Sequence, residues 1–166
     1  IMERKNEDPV SKAAHEWLLE RGVTVDDIAD LVYLLQKKYN PDLDIEQCKE
    51  NVERVLSKRE VQNAIITGIE LDRLAEKGML SEPLQGVIQR DEGLYGIDEI
   101  ISFAIVNIYG SIGFTNFGYI DKQKPGILKT LNDKNSDKCH TFLDDIVAAI
   151  AAAASSRLAH RAANTE

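Results

Sequence analysis

The sequence predicts an all-α, single-domain helical bundle built around a central apolar helix. Three observations lead there. Apolar residues recur at helical spacing through most of the chain, while alternating strand patterns are nearly absent. The segments before residue 90 are amphipathic and heavily charged, as the outer helices of a bundle are. Residues 97–112 (IDEIISFAIVNIYGSI) and 141–154 (TFLDDIVAAIAAAA) are instead apolar nearly all round, the pattern of a helix buried on every side. At 166 residues the chain suits one domain, taken as residues 2–166, large enough to bury a core.

The elements follow in order. A first helix over residues 10–21 stops at Gly22. Thr24 with Asp27 forms a capping-box start for a second, which carries Ile28, Leu31, Val32, Leu34 and Leu35 to a stop at Asn40-Pro41. Asp44 caps a third helix reaching Ser57. A fourth, drawn as either separate from or continuous with the third, runs through Val61, Ile65, Ile69 and Leu74 to Gly78. Ser81-Glu82-Pro83 opens a short fifth, because proline is tolerated in a first turn. Helices over 97–112, 115–132 (broken) and 141–161 complete the chain. In the broken one, Pro125 stands four residues after Asp121, so it removes a donor to the Asp121 carbonyl and clashes with it.

Composition narrows the function. A net charge of −8 argues against nucleic acid as the main partner, because such binding depends on cationic neutralisation of phosphates. Cys48 and Cys139 lie far apart without metal-ligand spacing, as expected in a reducing compartment. The apolar runs over 100–114 and 146–154 fall short of the roughly 18–20 residues of a membrane span. Met2 reads as the natural start, with Ile1 a remnant before it, and no secretory pattern follows. The expectation is a cytoplasmic protein with at most peripheral contact at the membrane surface. G-x-x-x-x-G-K-[ST], G-x-S-x-G and C-x-x-C are all missing, which removes P-loop, serine-hydrolase and zinc-ribbon readings.

The chemistry concentrates in acids placed where burial is expected. Asp98-Glu99 and Asp144-Asp145 each occupy the first turn of an apolar helix. First-turn acids do complement the helix dipole, by up to about 1 kcal/mol. Successive helical residues diverge by about 100°, however, so at least one acid of each pair should face inward. A buried carboxylate then needs a cation, a metal or a proton. Between the two pairs lies Asp121, followed by Lys122 and Lys124, in a stretch (121–138) holding five lysines against three aspartates. Carboxylates suit a hard divalent cation such as Mg²⁺, and lysines neutralise phosphate, so together they point to phosphoryl chemistry. Ser102 shares a helix face with Asp98 and Glu99 and is expected to hydrogen-bond a carboxylate. Asp91-Glu92 reads as a polar loop or as further oxygen ligands. His140 reads as a loop histidine, or as a group assisting a leaving oxygen or ligating a metal.

The order "GIDEI", "YIDKQKPGIL", "FLDDIVAAI" resembles the phosphatidylglycerophosphatase A family, whose members carry a D-E pair, a later D-x-x-K-P and an L-D-D. The resemblance covers residues 95–155. It implies a Mg²⁺-dependent phosphatase that releases the terminal phosphate of phosphatidylglycerophosphate. Asp98, Glu99, Asp144 and Asp145 would then hold the metal, and Lys122 and Lys124 the phosphate. Asp121, Asp144 and Glu99 would carry the catalysis, Asp121 as ligand or nucleophile. Membrane-bound relatives add transmembrane helices and a glycine-rich motif that are missing here. The arginine usual three residues before the D of D-x-x-K-P is replaced by Gly118. A soluble phosphorylated substrate is the first alternative. Nucleotide pyrophosphohydrolysis, faintly echoed by Glu46, Glu50 and Glu53, is a second. A non-catalytic helical binding or assembly protein is a third. The alanine-rich final helix allows close helix approach and suggests a homo-oligomer interface.

Overall fold

The computed structural model describes residues 8–163, which form nine α-helices and no strand; the expected start at Met2 lies outside them. The outer layer begins with α1 (Pro9–Glu20), α2 (Val25–Gln36), α3 (Ile45–Leu56) and α4 (Arg59–Glu76). Capping follows the residues expected. Thr24 and Asp27 form a capping box on α2, and Asp44 with Gln47 does the same on α3. The third and fourth helices are separate, because the chain turns at 57–58 and Ser57 donates back to the Arg54 carbonyl at 2.6 Å.

After α5 (Leu84–Gln89) the chain enters α6 (Ile97–Val106), a tight turn over Asn107–Tyr109, and then α7 (Ser111–Gln123). The single helix expected over 97–112 is thus divided. Gly110, at φ 89°, takes a backbone shape few other residues tolerate and redirects the chain. The break at Pro125 falls as expected: α7 ends at Gln123, Lys124 adopts a left-handed conformation, and α8 (Ile127–Leu131) starts beyond.

The centre belongs to α9 (Leu143–Ala163) alone, which packs against α2, α3, α4, α6, α7 and α8. Residues 146–154 are all fully buried. Gly68 brings α4 close enough that an added methyl would overlap Ile146 Cδ1 and press on Phe142. Two expectations are corrected here. Ala148, Ala149, Ala151, Ala152, Ala153 and Ala154 of α9 are fully buried within one chain, so they are not available to an interface between chains. Nor is α6 central: Ile97, Ile100 and Phe103 face solvent, Ile100 at 60% exposure. Both helices are apolar all round, but only α9 is covered all round.

Candidate active site

The site depends on how α9 begins. Its first free amides are satisfied from across the fold, since Asp72 on α4 accepts from Phe142 N and Leu143 N, each at 3.0 Å. Thr141 donates its hydroxyl to the Ile88 carbonyl. Burial pushes the Asp72 carboxyl well above its ordinary range, against the pull of those two amides and Arg21. One turn on, Glu76 accepts from Cys139 N at 2.7 Å and pairs with Arg21 at 3.0 Å, and Arg21 also donates to the Cys139 carbonyl at 2.6 Å. The 139–143 segment is therefore pinned from both sides before Asp144 begins. Sequence reasoning missed Asp72. The signal was available, because Ile65, Ile69 and Asp72 fall at i, i+4 and i+7 on the buried face of α4.

Both acids of α9 are buried, Asp144 at 4% and Asp145 at 5% exposure, and Asp98 of α6 is buried too. Glu99 is exposed, so the two pairs behave differently: one acid of α6 faces inward and both of α9 do. The reason is that α9 has no outer side at its start.

These groups meet in one cleft of about 200 Å³ lined by Asp91, Glu92, Asp98, Glu99, Asp121, Lys124, Asn132, Asp144 and Asp145, with Gly93 between. Seven carboxyls face one ammonium. Lys124 Nζ lies 2.7 Å from Asp121 Oδ1 and 3.0 Å from Asp144 Oδ2, bridging α7 and α9. Its left-handed backbone lets the side chain turn back across the end of α7. Burial opposes its charge, but Asp144 and Asp121 outweigh this and hold the proton more tightly than usual. Burial raises the Asp144 carboxyl, and Lys124 offsets part of that rise. Asp145 is raised furthest, by burial, by the charge of Asp144, and by hydrogen bonding with Asp98 and Asp121. Asp145, raised in this way, keeps its proton where α6, α7 and α9 meet.

Among the described residues, no group of three or more His, Cys, Asp or Glu side chains stands ready around a metal position. The donor set nonetheless fits a hard divalent cation. It consists of carboxylate oxygens in strong excess of positive charge, and a proton on Asp145 and the Lys124 ammonium supply the charge such an ion would supply.

Other expected residues are placed as follows. Lys122 is exposed on α7 and does not line the cleft, since a residue next to Asp121 on a helix is turned away by about 100°. Ser102 is buried but donates to the Asp98 backbone carbonyl at 3.0 Å rather than to a carboxylate. Asp91 and Glu92 lie at the cleft, where burial and the neighbouring Asp98 raise the Asp91 carboxyl. His140 lines an adjoining pocket, and burial with the Arg21 guanidinium lowers its imidazole to about 4. It is therefore neutral near pH 7 and is not an imidazolium donor to a leaving oxygen. Glu46 and Glu50 pair with Lys49 and Arg161, and Glu50 lines a separate groove with Arg161.

A model of the phosphatidylglycerophosphatase A family matches residues 12–160, which include every residue of this cleft. The chain belongs to the phosphatidylglycerophosphatase A family. At the family level its character is that of a phosphatase. Relatives of this phosphatidylglycerophosphatase A family member include the uncharacterized protein YutG of Bacillus subtilis, 73% identical over 147 residues, or 89% of each chain. A solved protein of unknown function from Bacillus stearothermophilus superposes with a TM-score of 0.91 at 71% identity, covering 95% of this chain and 98% of its own. The low temperature requirement C protein from Listeria monocytogenes gives 0.93 at 61%, covering 95% and 99%. No described helix is long and apolar enough to cross a membrane. Gly118, where the family resemblance leads one to expect arginine, has nothing within 4 Å of an added Cβ, so the missing side chain is not a matter of space.

Proposed function

We propose that this chain is a Mg²⁺-dependent phosphatase that hydrolyses the terminal phosphate of phosphatidylglycerophosphate to phosphatidylglycerol and inorganic phosphate. The observation that carries the reading is the cleft of seven carboxyls around Lys124. Asp98, Asp144 and Asp145 would hold the cation, with Glu99 at the rim. When bound, it supplies positive charge to the transferring oxygens and makes water more acidic.

Lys124 binds the phosphate, held by Asp121 and Asp144 so that its ammonium needs little reorganisation. Glu99 has no hydrogen-bond or ion-pair partner among the described residues and accepts the proton of the attacking water. Water oxygen bonds to phosphorus, the bond from phosphorus to the glycerol oxygen breaks, and that oxygen leaves as an alcohol after taking a proton. Asp121 keeps Lys124 aimed as the charge on the phosphate changes. In this role it orients a cation and need not form a phosphoryl intermediate.

Support for a lipid substrate comes from the uncovered apolar face beside the cleft. Leu94 is 93% exposed, and Ile97, Ile100, Phe103, Phe114 and Tyr119 continue the surface along α6 and α7. These are the two helices that contribute Asp98, Glu99 and Asp121. An apolar tail leaving the cleft would pass along this face, which could also rest at the membrane interface.

The test is phosphate release from phosphatidylglycerophosphate, soluble phosphomonoesters and nucleotides, with and without Mg²⁺. Asp98→Asn and Asp144→Asn should abolish Mg²⁺-dependent release while the protein stays folded. Wild-type rates in either variant would reject the site. A second reading, a non-catalytic assembly protein, is favoured by one observation: Lys124 already neutralises Asp121 and Asp144 as a structural pair would. Absence of any Mg²⁺ effect on both melting and phosphate release would decide for it.

A further inference from the structure

With the alanines of α9 enclosed, the apolar surface left open to another molecule lies on α6 and α7. On α6 and the turn after it, Ile97, Ile100, Ala104 and Ile108 follow one another at helical spacing and face solvent. Phe103, also exposed, carries this stripe across to α7, its ring centroid 5.4 Å from that of Phe114. Leu94 extends the face ahead of α6. Tyr119 bounds it on α7, where Lys38 Nζ stands 6.0 Å from the ring centroid. Charged residues make up 29% of the chain, yet residues 100–120 contain none. An uncharged apolar patch of several hundred Å² on a protein surface marks an interaction site.

Gly118 carries a second sign. It is exposed in the middle of α7, and among the described residues nothing lies within 4 Å of an added Cβ. Glycine weakens a helix interior, and packing within this chain does not require it here. Bare backbone on an outward helix face is what a closely approaching neighbour needs.

The charges around the face select its occupant. At the cleft end stand Glu99, Asp91 and Glu92. At the other end, His160 Nε2 lies 3.2 Å from the Tyr109 carbonyl oxygen, which sets the Arg157 and Arg161 end of α9 beside the turn. An anionic bilayer would meet no lysine or arginine between residues 91 and 121, and the acids would repel it. A second copy turned end for end instead places each acidic end beside a basic one and buries the uncharged middle against itself. Size agrees. With side chains of this kind offering roughly 150–200 Å² when bare, the face presents roughly 550–700 Å² on each copy. Two such faces would bury about 1,100–1,400 Å² together, near the lower end of specific interfaces.

We propose that two copies of this chain pair face to face through α6 and α7, about a two-fold axis crossing the helices, with Phe103 and Phe114 central and Gly118 at the close approach. The pairing goes beyond the chemistry of the cleft and does not depend on it. A lipid tail leaving the cleft would then pass between two copies rather than over open surface.

Sedimentation velocity of the full chain at about 100 µM should give the mass of two chains of 18.5 kDa each. Gly118→Arg and Phe114→Asp each place a charge on the face at an exposed position, and each should sediment as one chain with unchanged helical circular dichroism. A wild type with the mass of one chain, or pairing that persists in both variants, would overturn the proposal. Hydroxyl-radical footprinting of the wild type needs no substitution. Normalised for side-chain type and for exposure in a single chain, Ile100, Phe103 and Phe114 should react at least about threefold more slowly than Leu19 of α1. Equal rates would overturn the pairing even if the variants failed to fold. Vesicles of phosphatidylcholine and phosphatidylglycerol supply the remaining outcome. A single chain that pellets with them, and no longer does so as Phe114→Asp, would give the face to a membrane and overturn the pairing.

Discussion

Replacing Asp145 by asparagine should convert a pH-sensitive, metal-responsive protein into one that is less of both. Asp145 is 5% exposed, and burial, Asp144, Asp98 and Asp121 all raise its carboxyl, to about 11. A carboxyl raised in the folded state keeps a proton that the unfolded chain releases near pH 4. Stability contributed this way is full below the unfolded value and is lost as pH rises toward the folded one. The slope for one retained proton is about 1.4 kcal/mol per pH unit, or roughly 3–5 °C in melting temperature for a domain of this size. The useful window is pH 7.0–8.5. There His140, lowered to about 4, is neutral when folded and still about a quarter charged at pH 7.0 when unfolded, and the small opposite slope this adds is common to wild type and variant. Asp72 is also raised, so the wild type is not expected to show the Asp145 slope alone. The quantity to compare is the difference between wild type and Asp145→Asn. Melting by calorimetry in chelator should show the wild type losing about one proton's worth of stability per pH unit more than the variant. Mg²⁺ should raise the wild-type melting temperature more at pH 8.5 than at pH 7.0, because the ion replaces a proton that is then harder to keep. It should do little for Asp145→Asn. Parallel slopes in the two proteins would refute the retention of a proton by Asp145, and equal Mg²⁺ effects at both pH values would refute the exchange of proton for metal.

Other perturbations separate scaffold from chemistry. Asp72→Asn retains the shape but offers one acceptor oxygen to two buried amides, so it should lower stability by about 1–3 kcal/mol in denaturant unfolding. Gly68→Ala should cost about 1–3 kcal/mol by forcing α4 off Ile146, with the melting temperature as the readout. Lys124→Met should reduce phosphate release by at least about a hundredfold, and Lys122→Met should leave the rate within about twofold, because only Lys124 lines the cleft. Ile100→Ser and Phe103→Ser should slow hydrolysis of phosphatidylglycerophosphate in vesicles more than hydrolysis of a soluble phosphomonoester; equal losses on both would argue against the apolar face as the lipid path.

The helices were legible because each carries its own period and punctuation. Thr24 with Asp27, Asp44 with Gln47, Gly78 and Pro125 act within a few residues of themselves, so their effects could be written from neighbours alone. The acids of α9 were legible for the same reason, since nine apolar residues after Asp145 leave little doubt about burial. Less could be read of α6. Its composition matches that of α9, yet only one of the two is enclosed, because coverage is set by which other helices arrive. The same applies to the first amides of α9, which are held by Asp72 from about seventy positions earlier in the chain.

By itself, then, the sequence determined helical content, the positions of most breaks, and the presence of carboxylates in an apolar setting. All of these follow from interactions between residues one to four apart. The tertiary structure decided which helix is central, that Lys124 and not Lys122 enters the cleft, and that Asp98, Asp121 and Asp145 meet there. Those outcomes depend on distances between segments far apart in the chain, and no local periodicity encodes a distance of that kind.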